Sequence, residues 1–385
     1  MTKRGKRFGA IAAASLALMA ATVGSAPGAA PRQTIGSAIL FWSQAAHDRA
    51  FPHMERLFQG RVVRRGRRVH PLPSGRPLPI ANDVVDVFVR DQHVAGLLVL
   101  QDGRIRLERY ARGLQPRGRW TSFSIAKSVT SLLVGAAIRD GAIRSVEDPV
   151  TTYLPQLAGS AYQGVTVAQL LTMTSGVRWN EDYTDSASDV ARLYTSPVAS
   201  GVDPTLAYMR RLPRAAPPGT TWAYKTGETD LVGVLVGTVT RRHLAAYLSE
   251  RIWHPYGMER DAFWMTDRSG REAGGCCLSM TLRDYGRLGQ LVLDDGAGLM
   301  PKGWIASATA QHVAIDDAGG GYGYQWWTLP GRRFAAIGIF GQSLLIDPAH
   351  RVVIVILGTW PRPVDAALSR ERAAFQQRLI EAAMR

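Results

Sequence analysis

Ser124 and Lys127, in the run Thr121-Ser122-Phe123-Ser124-Ile125-Ala126-Lys127-Ser128, place a hydroxyl and an amine three residues apart, the pair from which a nucleophile and its base can be made. The chain has only 5 lysines among its 46 basic residues, the rest being arginines. A guanidinium does not release its proton near neutral pH, whereas a buried amine does, so a lysine against this background is a candidate for proton transfer. Lys3 and Lys6 lie at the extreme N-terminus, which leaves Lys127, Lys225 and Lys302.

The residues around the pair predict the element that positions it. Ile125, Val129, Leu132, Leu133 and Ala136 recur at the spacing of a buried helix face, and Gly141 supplies a stop. Ser124 thus opens a helix, Lys127 lies on its face one turn on, and the free N–H groups of the first turn favour a developing oxyanion. A helix-capping serine with an unrelated lysine has the same spacing, so the pair gains meaning from what else the chain brings.

Two further stretches bring chemistry. Pro217-Pro218-Gly219-Thr220-Thr221-Trp222-Ala223-Tyr224-Lys225-Thr226-Gly227-Glu228 predicts a turn that presents Tyr224 just before a helix, and a phenol beside a Ser/Lys pair can hand a proton to a leaving group. Ala335-Ala336-Ile337-Gly338-Ile339-Phe340-Gly341-Gln342-Ser343-Leu344-Leu345-Ile346-Asp347-Pro348 reads as one strand ending in a turn, with Arg351 to Leu357 as its partner. Its two glycines predict a close approach of backbone to ligand.

Together these residues resemble the serine β-lactamase and penicillin-binding-protein superfamily, in the branch of class C β-lactamase-like esterases and 6-aminohexanoate-dimer hydrolases. Ser124 and Lys127 match its S-x-x-K nucleophile and base. Tyr224 matches the tyrosine of its Y-x-N element, with Thr226 where asparagine is usual. Flanking phrases match as well: Asp148-Pro149-Val150 with Tyr153-Leu154-Pro155, Leu170-Leu171-Thr172-Met173-Thr174-Ser175-Gly176, and His254-Pro255-Tyr256-Gly257-Met258. The third family element, K-T-G, aligns with Ala336-Ile337-Gly338 and has no lysine, which argues against efficient β-lactamase or DD-peptidase activity. The resemblance further implies that the Ile339 N–H faces the Ser124 N–H as second oxyanion donor. A Trp/Asp/Tyr-rich loop, residues 177–185, is similar to one that covers the acyl pocket in the 6-aminohexanoate-dimer hydrolase branch, which makes Tyr183 a candidate substrate contact. Thr226, Gly338 and Gln342 are the remaining candidates for substrate binding.

Composition bounds the class. Residues 1–26 carry Lys3, Arg4, Lys6 and Arg7, an apolar stretch from Phe8 to Val23 and small residues after it, the pattern of a signal peptide or, uncleaved, of a tether ending near residue 30. A periplasmic or secreted enzyme is therefore expected. Of the net charge of +15, four positives lie in this leader, leaving about +11. The densest basic run, Arg61 to Arg68, lacks interleaved aromatics, so nucleic acid is not an expected partner, and attraction to the anionic cell envelope is the milder reading. Cys276 and Cys277 are adjacent and cannot build a disulfide framework; no spacing of His and Cys suggests a metal, and no cofactor is expected.

The expected architecture is α/β (α+β), β-lactamase/transpeptidase-like: one catalytic domain over residues 31–385, with an antiparallel sheet flanked by helices (about 36–141 and 267–385) and an all-helical lobe (about 142–266). A helical segment near Phe41 to Phe58, a hairpin of His93–Leu100 and Arg104–Tyr110 about Asp102-Gly103, and a closing helix from Pro363 to Met384 complete it. The expected activity is hydrolysis of a small-molecule ester or amide through an acyl-enzyme. The alternatives are a catalytically weak penicillin-binding sensor or binding protein, or a β-lactamase or DD-peptidase.

Overall fold

The run Val94-Ala95-Gly96-Leu97-Leu98-Val99-Leu100 is apolar at nearly every position, which suits a strand covered on both faces. The computed structural model describes residues 32–385, so the expected leader and its cleavage site lie outside the described residues. Among the described residues there are twelve strands, in chain order β1 (Gly60–Val63), β2 (Val94–Gln101), β3 (Arg104–Tyr110), β4 (Trp120–Thr121), β5 (Ala262–Met265), β6 (Leu278–Met280), β7 (Val313–Ala314), β8 (Gly321–Tyr322), β9 (Trp327–Leu329), β10 (Arg333–Gly338), β11 (Gln342–Asp347) and β12 (Val352–Gly358). Eight form one antiparallel sheet in the order β3-β2-β12-β11-β10-β9-β8-β7, and four form a smaller one, β1-β5-β6-β4. β2 and β3 make the expected hairpin, with Asp102 and Gly103 at φ of 50° and 71°, the left-handed pair that a tight two-residue connection requires.

Alternate side chains of the central strands enter two separate cores, as the two-residue period demands. Leu98, Leu100, Leu344, Val353 and Val355 point to the face covered by helices α1 (Ile125–Arg139) and α3 (Leu282–Leu293), between which in sequence lies α2 (Thr226–Thr240). Leu97, Val99, Leu345, Ile354 and Ile356 point to the face covered by Asn82–Asp91 and by the C-terminal helix α4 (Ala366–Ala383). α3 lies close because Gly286 and Gly289 face the sheet: a Cβ would come within 2.6 Å of Leu98 at the first and 2.4 Å of Val353 at the second. Of the described helices, none is long and apolar enough to cross a membrane.

Three expectations are corrected. The stretch 335–348 is two strands, β10 and β11, folded back on each other so that Gly338 pairs with Gln342; Phe340 and Gly341, at φ of 59° and 91°, make the reversal. The helical segment near Phe41 to Phe58 is broken into Gln44–Ala50, Met54–Leu57 and a 3-10 turn at Phe51–His53, because Pro52 cannot donate a helix hydrogen bond. The range read as all-helical ends in strand β5, which pairs with β1, so the start of the basic run is a strand. The rest of that range is a series of short helices around α2, which packs against α1.

Candidate active site

The site is assembled where α1 begins. β4 is held to β6, and the chain then turns through Phe123, at φ 42°, while the Ser122 hydroxyl accepts from the Leu278 N–H at 3.0 Å. Ser124 sits at the N-cap of α1 with φ −70° and ψ −2°, yet its side chain makes no capping hydrogen bond, so the hydroxyl is left for other partners. That separates it from a serine that only starts a helix.

Lys127, 1% exposed, directs its amine at three oxygens: Ser124 Oγ at 3.1 Å, Thr226 Oγ1 at 3.0 Å and the Gly275 carbonyl at 2.8 Å. Burial pushes this amine down from the ordinary lysine range to about 8, against the opposing pull of the Glu181 and Asp230 charges. A lysine at about 8 is roughly one-tenth neutral at pH 7, enough to accept the proton of a serine hydroxyl.

Tyr224 is delivered by a loop laid along residues 173–176. The Gly219 N–H donates to the Thr174 carbonyl at 2.7 Å and the Ala223 N–H to the Met173 carbonyl at 3.1 Å. Gly176 has φ 72° and lies so close that a Cβ would meet the Ala216 carbonyl at 2.0 Å, which explains physically the glycine that ends Thr174-Ser175-Gly176. The Lys127 amine is 5.2 Å from the Tyr224 ring centre, and the ring stacks on Trp327 at 5.5 Å. Burial first, then the Glu181 charge, raise the phenol above its ordinary range, while a hydrogen bond with Ser124 pulls the other way, so it stays protonated at neutral pH.

The hairpin of β10 and β11 closes the other side. At Gly338 a Cβ would meet the Ser122 carbonyl at 2.6 Å and Phe123 at 3.1 Å, so the glycine lets β10 run against the serine turn, backbone to backbone. Ile339 lines the cavity beside Ser124, and its N–H, like that of Ser124, is taken by no acceptor among the described residues.

Of the remaining predicted residues, Tyr183 lines the cavity with Ser124. Thr226 also lines it, but its hydroxyl is committed, accepting from Lys127 and donating to Glu181. Gln342 is not a substrate contact. Its fully buried amide donates to the Phe340 and Gly358 carbonyls at 3.0 and 2.8 Å and accepts from the Gly358 N–H at 3.1 Å, tying the hairpin turn to β12. Ile337 packs with the core under α4, and no lysine enters at the third element.

Glu181 was missed. One oxygen takes the Tyr183 hydroxyl at 2.7 Å and the Thr226 hydroxyl; the other takes the Trp179 indole and, at 2.9 Å, the Thr226 N–H. The clue was the every-second-residue spacing of Trp179, Glu181 and Tyr183. Gly275, whose carbonyl holds Lys127, is itself held by Asp230 through its N–H at 2.7 Å. Next to it Cys276 and Cys277 are joined to each other, and Cys276 reaches the cavity. Among the described residues no group of His, Cys, Asp and Glu is placed to hold a metal ion.

Comparisons with known proteins agree with this arrangement. The family described as Beta-lactamase matches residues 81–378. A 6-aminohexanoate-dimer hydrolase of Paenarthrobacter ureafaciens is 32% identical over 368 residues, 89% of this chain and 94% of that protein. Among solved structures, a Bacillus anthracis protein provisionally assigned as a 6-aminohexanoate-dimer hydrolase superposes with a TM-score of 0.76 at 25% identity, covering 86% of this chain and 93% of that one. A penicillin-binding protein of Bacillus halodurans shares the fold, with a TM-score of 0.63 at 17% identity over 76% of this chain and 99% of that one.

Proposed function

This chain belongs to the β-lactamase family and is a serine hydrolase, and from that premise we propose that it cleaves ester or amide bonds of small molecules through an acyl-enzyme on Ser124. The observation that carries the reading is the Lys127 amine: fully buried, lowered to about 8, and 3.1 Å from the Ser124 hydroxyl. In the neutral form it takes the hydroxyl proton as Oγ attacks the carbonyl carbon. The carbonyl oxygen becomes an oxyanion, held by the Ser124 and Ile339 N–H groups. Tyr224 gives its proton to the departing oxygen or nitrogen, and the Lys127 ammonium just formed resupplies the phenol. Water then adds to the acyl-enzyme, Ser124 regains its proton and the acid leaves.

The residues at the third element favour this reading over β-lactam or peptidoglycan chemistry, since the Ala336-Ile337-Gly338 end of β10, beside the serine turn, brings no cation to hold a substrate carboxylate. Lys225 does not fill the role: its amine is turned under the loop to the Ala223 carbonyl at 3.1 Å. The Paenarthrobacter relative, named for hydrolysing a 6-aminohexanoate dimer, brings linear amides into range beside esters. We place the enzyme in the periplasm or outside the cell on the composition of residues 1–26 alone.

Ser124→Ala tests the proposal. Turnover of p-nitrophenyl esters and labelling by a fluorophosphonate should both vanish, a loss of about 10⁴-fold or more. A folded variant that keeps a tenth of the wild-type rate removes Ser124 from the mechanism. A burst of acylation without turnover in the wild type identifies a sensor instead.

A further inference from the structure

One wall of the site comes from far away in sequence. Ile35, Ile39 and Leu40, in and just before the 3-10 turn Ser37–Phe41, face Phe123, Val190 and Ile339 across a narrow, partly open cavity, and Ser124 opens into it. Among the described residues that line it, none carries a charge. Its phenols point their hydroxyls away, Tyr183 to Glu181 at 2.7 Å and Tyr194 to Asp230 at 2.6 Å. Both nearby carboxylates are already engaged: Glu181 takes four donors, and Asp230 takes the Tyr194 hydroxyl and the Gly275 N–H. What polarity is left, the Ser37 hydroxyl and the Cys276 sulfur, is neutral.

The cavity also has a side. Tyr224 is not part of its lining; the ring stands among Trp222, Tyr322 and Trp327, with centroids 6.5, 6.2 and 5.5 Å away. A leaving group that receives the Tyr224 proton therefore departs on the aromatic side, and the space beyond Ser124 on the other side is left for the acyl chain.

We propose that this cavity is an acyl-chain pocket that selects an uncharged aliphatic acyl group, with Ile35, Ile39, Leu40 and Val190 as its specificity-determining residues. The proposal rests on the acyl-enzyme reading above and narrows it. A 6-aminohexanoyl group matches a heptanoyl group in chain length but ends in an ammonium, and burying that charge among these side chains without a free acceptor is costly. The amide-cleaving chemistry suggested by the relative's name would then act here on a neutral acyl half.

The test compares p-nitrophenyl acetate, butyrate, heptanoate and 6-aminohexanoate on the full chain. Heptanoate should exceed 6-aminohexanoate at least about tenfold in kcat/KM, a difference of about 1.4 kcal/mol. Leu40→Asp, at a half-buried position, should shrink that ratio several-fold by offering the ammonium a partner, and Leu40→Trp should move the optimum to shorter acyl chains by filling the space. Equal or better use of 6-aminohexanoate by the wild type overturns the proposal. So does an unchanged acyl preference in folded, fluorophosphonate-labelled Leu40→Asp and Leu40→Trp. Failure to cleave or be acylated by any of the four esters overturns the acyl-enzyme reading itself, and this proposal with it; cleavage without charge discrimination overturns this proposal alone.

Discussion

Lys127 and Lys225 are buried to the same 1% exposure, each at the start of a helix beside the site, and they do opposite things. Around Lys127 the acceptors are neutral oxygens, and no carboxylate lies within 4.0 Å among the described residues, so burial outweighs the more distant charges of Glu181 and Asp230. Lys225 has Glu228 at 3.9 Å and two backbone carbonyls at 3.1 and 3.4 Å. There the strain appears on the carboxylate: burial raises Glu228 to about 7 in spite of the lysine, and one of its oxygens has no hydrogen-bond partner among the described residues. Depth alone does not set what a buried lysine does; the partners at bonding distance do, neutral oxygens at Lys127 and a carboxylate at Lys225.

Replacing each lysine by methionine keeps the volume and separates the two roles. Lys127→Met should cost about 10⁴-fold in kcat/KM on esters while the protein stays folded, because Ser124 loses the amine that, among the described residues, reaches it. Lys225→Met should instead cost stability, about 3–5 kcal/mol by urea unfolding at pH 8, by stranding Glu228. The sign with pH follows from Glu228: its folded value lies above the unfolded one, so the native state holds a proton that the unfolded state releases, and stability falls as pH rises through the window from about 4.5 to 7. Without Lys225 that window extends upward, so the variant should be less impaired at pH 6 than at pH 8. If Lys225→Met loses rate as Lys127→Met does and keeps its stability, the contrast is wrong.

The smallest effect probes the more distant carboxylate. Since Lys127 acts as the neutral amine, kcat/KM should climb with pH on a limb centred near 8. Glu181 raises the amine, so Glu181→Gln should move that limb to lower pH. A limb that stays in place means that Lys127 does not feel the Glu181 charge.

Some of this was legible in the chain. The α1 face, the Asp102-Gly103 hairpin and the Ser124/Lys127 spacing follow from short-range patterns, because a helix turn or a two-residue hairpin is specified within a few residues. The family resemblance carried Tyr224 and Ile339 to their places. What was missed depends on contacts no local pattern contains. Gln342 looked polar and available, but the reversal at Phe340 and Gly341 turns its amide inward. A left-handed phenylalanine gives no signal that a strand will break there. Glu181 sat in plain view in a polar loop, where a carboxylate is ordinary, and only its meeting with Thr226 gives it a place in the site. Ile35 to Leu40 lie some ninety residues before Ser124 and have no periodicity that points to it.

The oxygens that hold the Lys127 amine come from positions 124, 226 and 275, and the hairpin that flanks the serine turn is complete only past position 342. A ribosome that has released the first half of the chain has therefore made the serine and the lysine but not their chemistry: position 127 is still a solvated, fully charged amine. Reactivity arrives late, with the last third of the polypeptide, so the nucleophile is silent through most of its own synthesis.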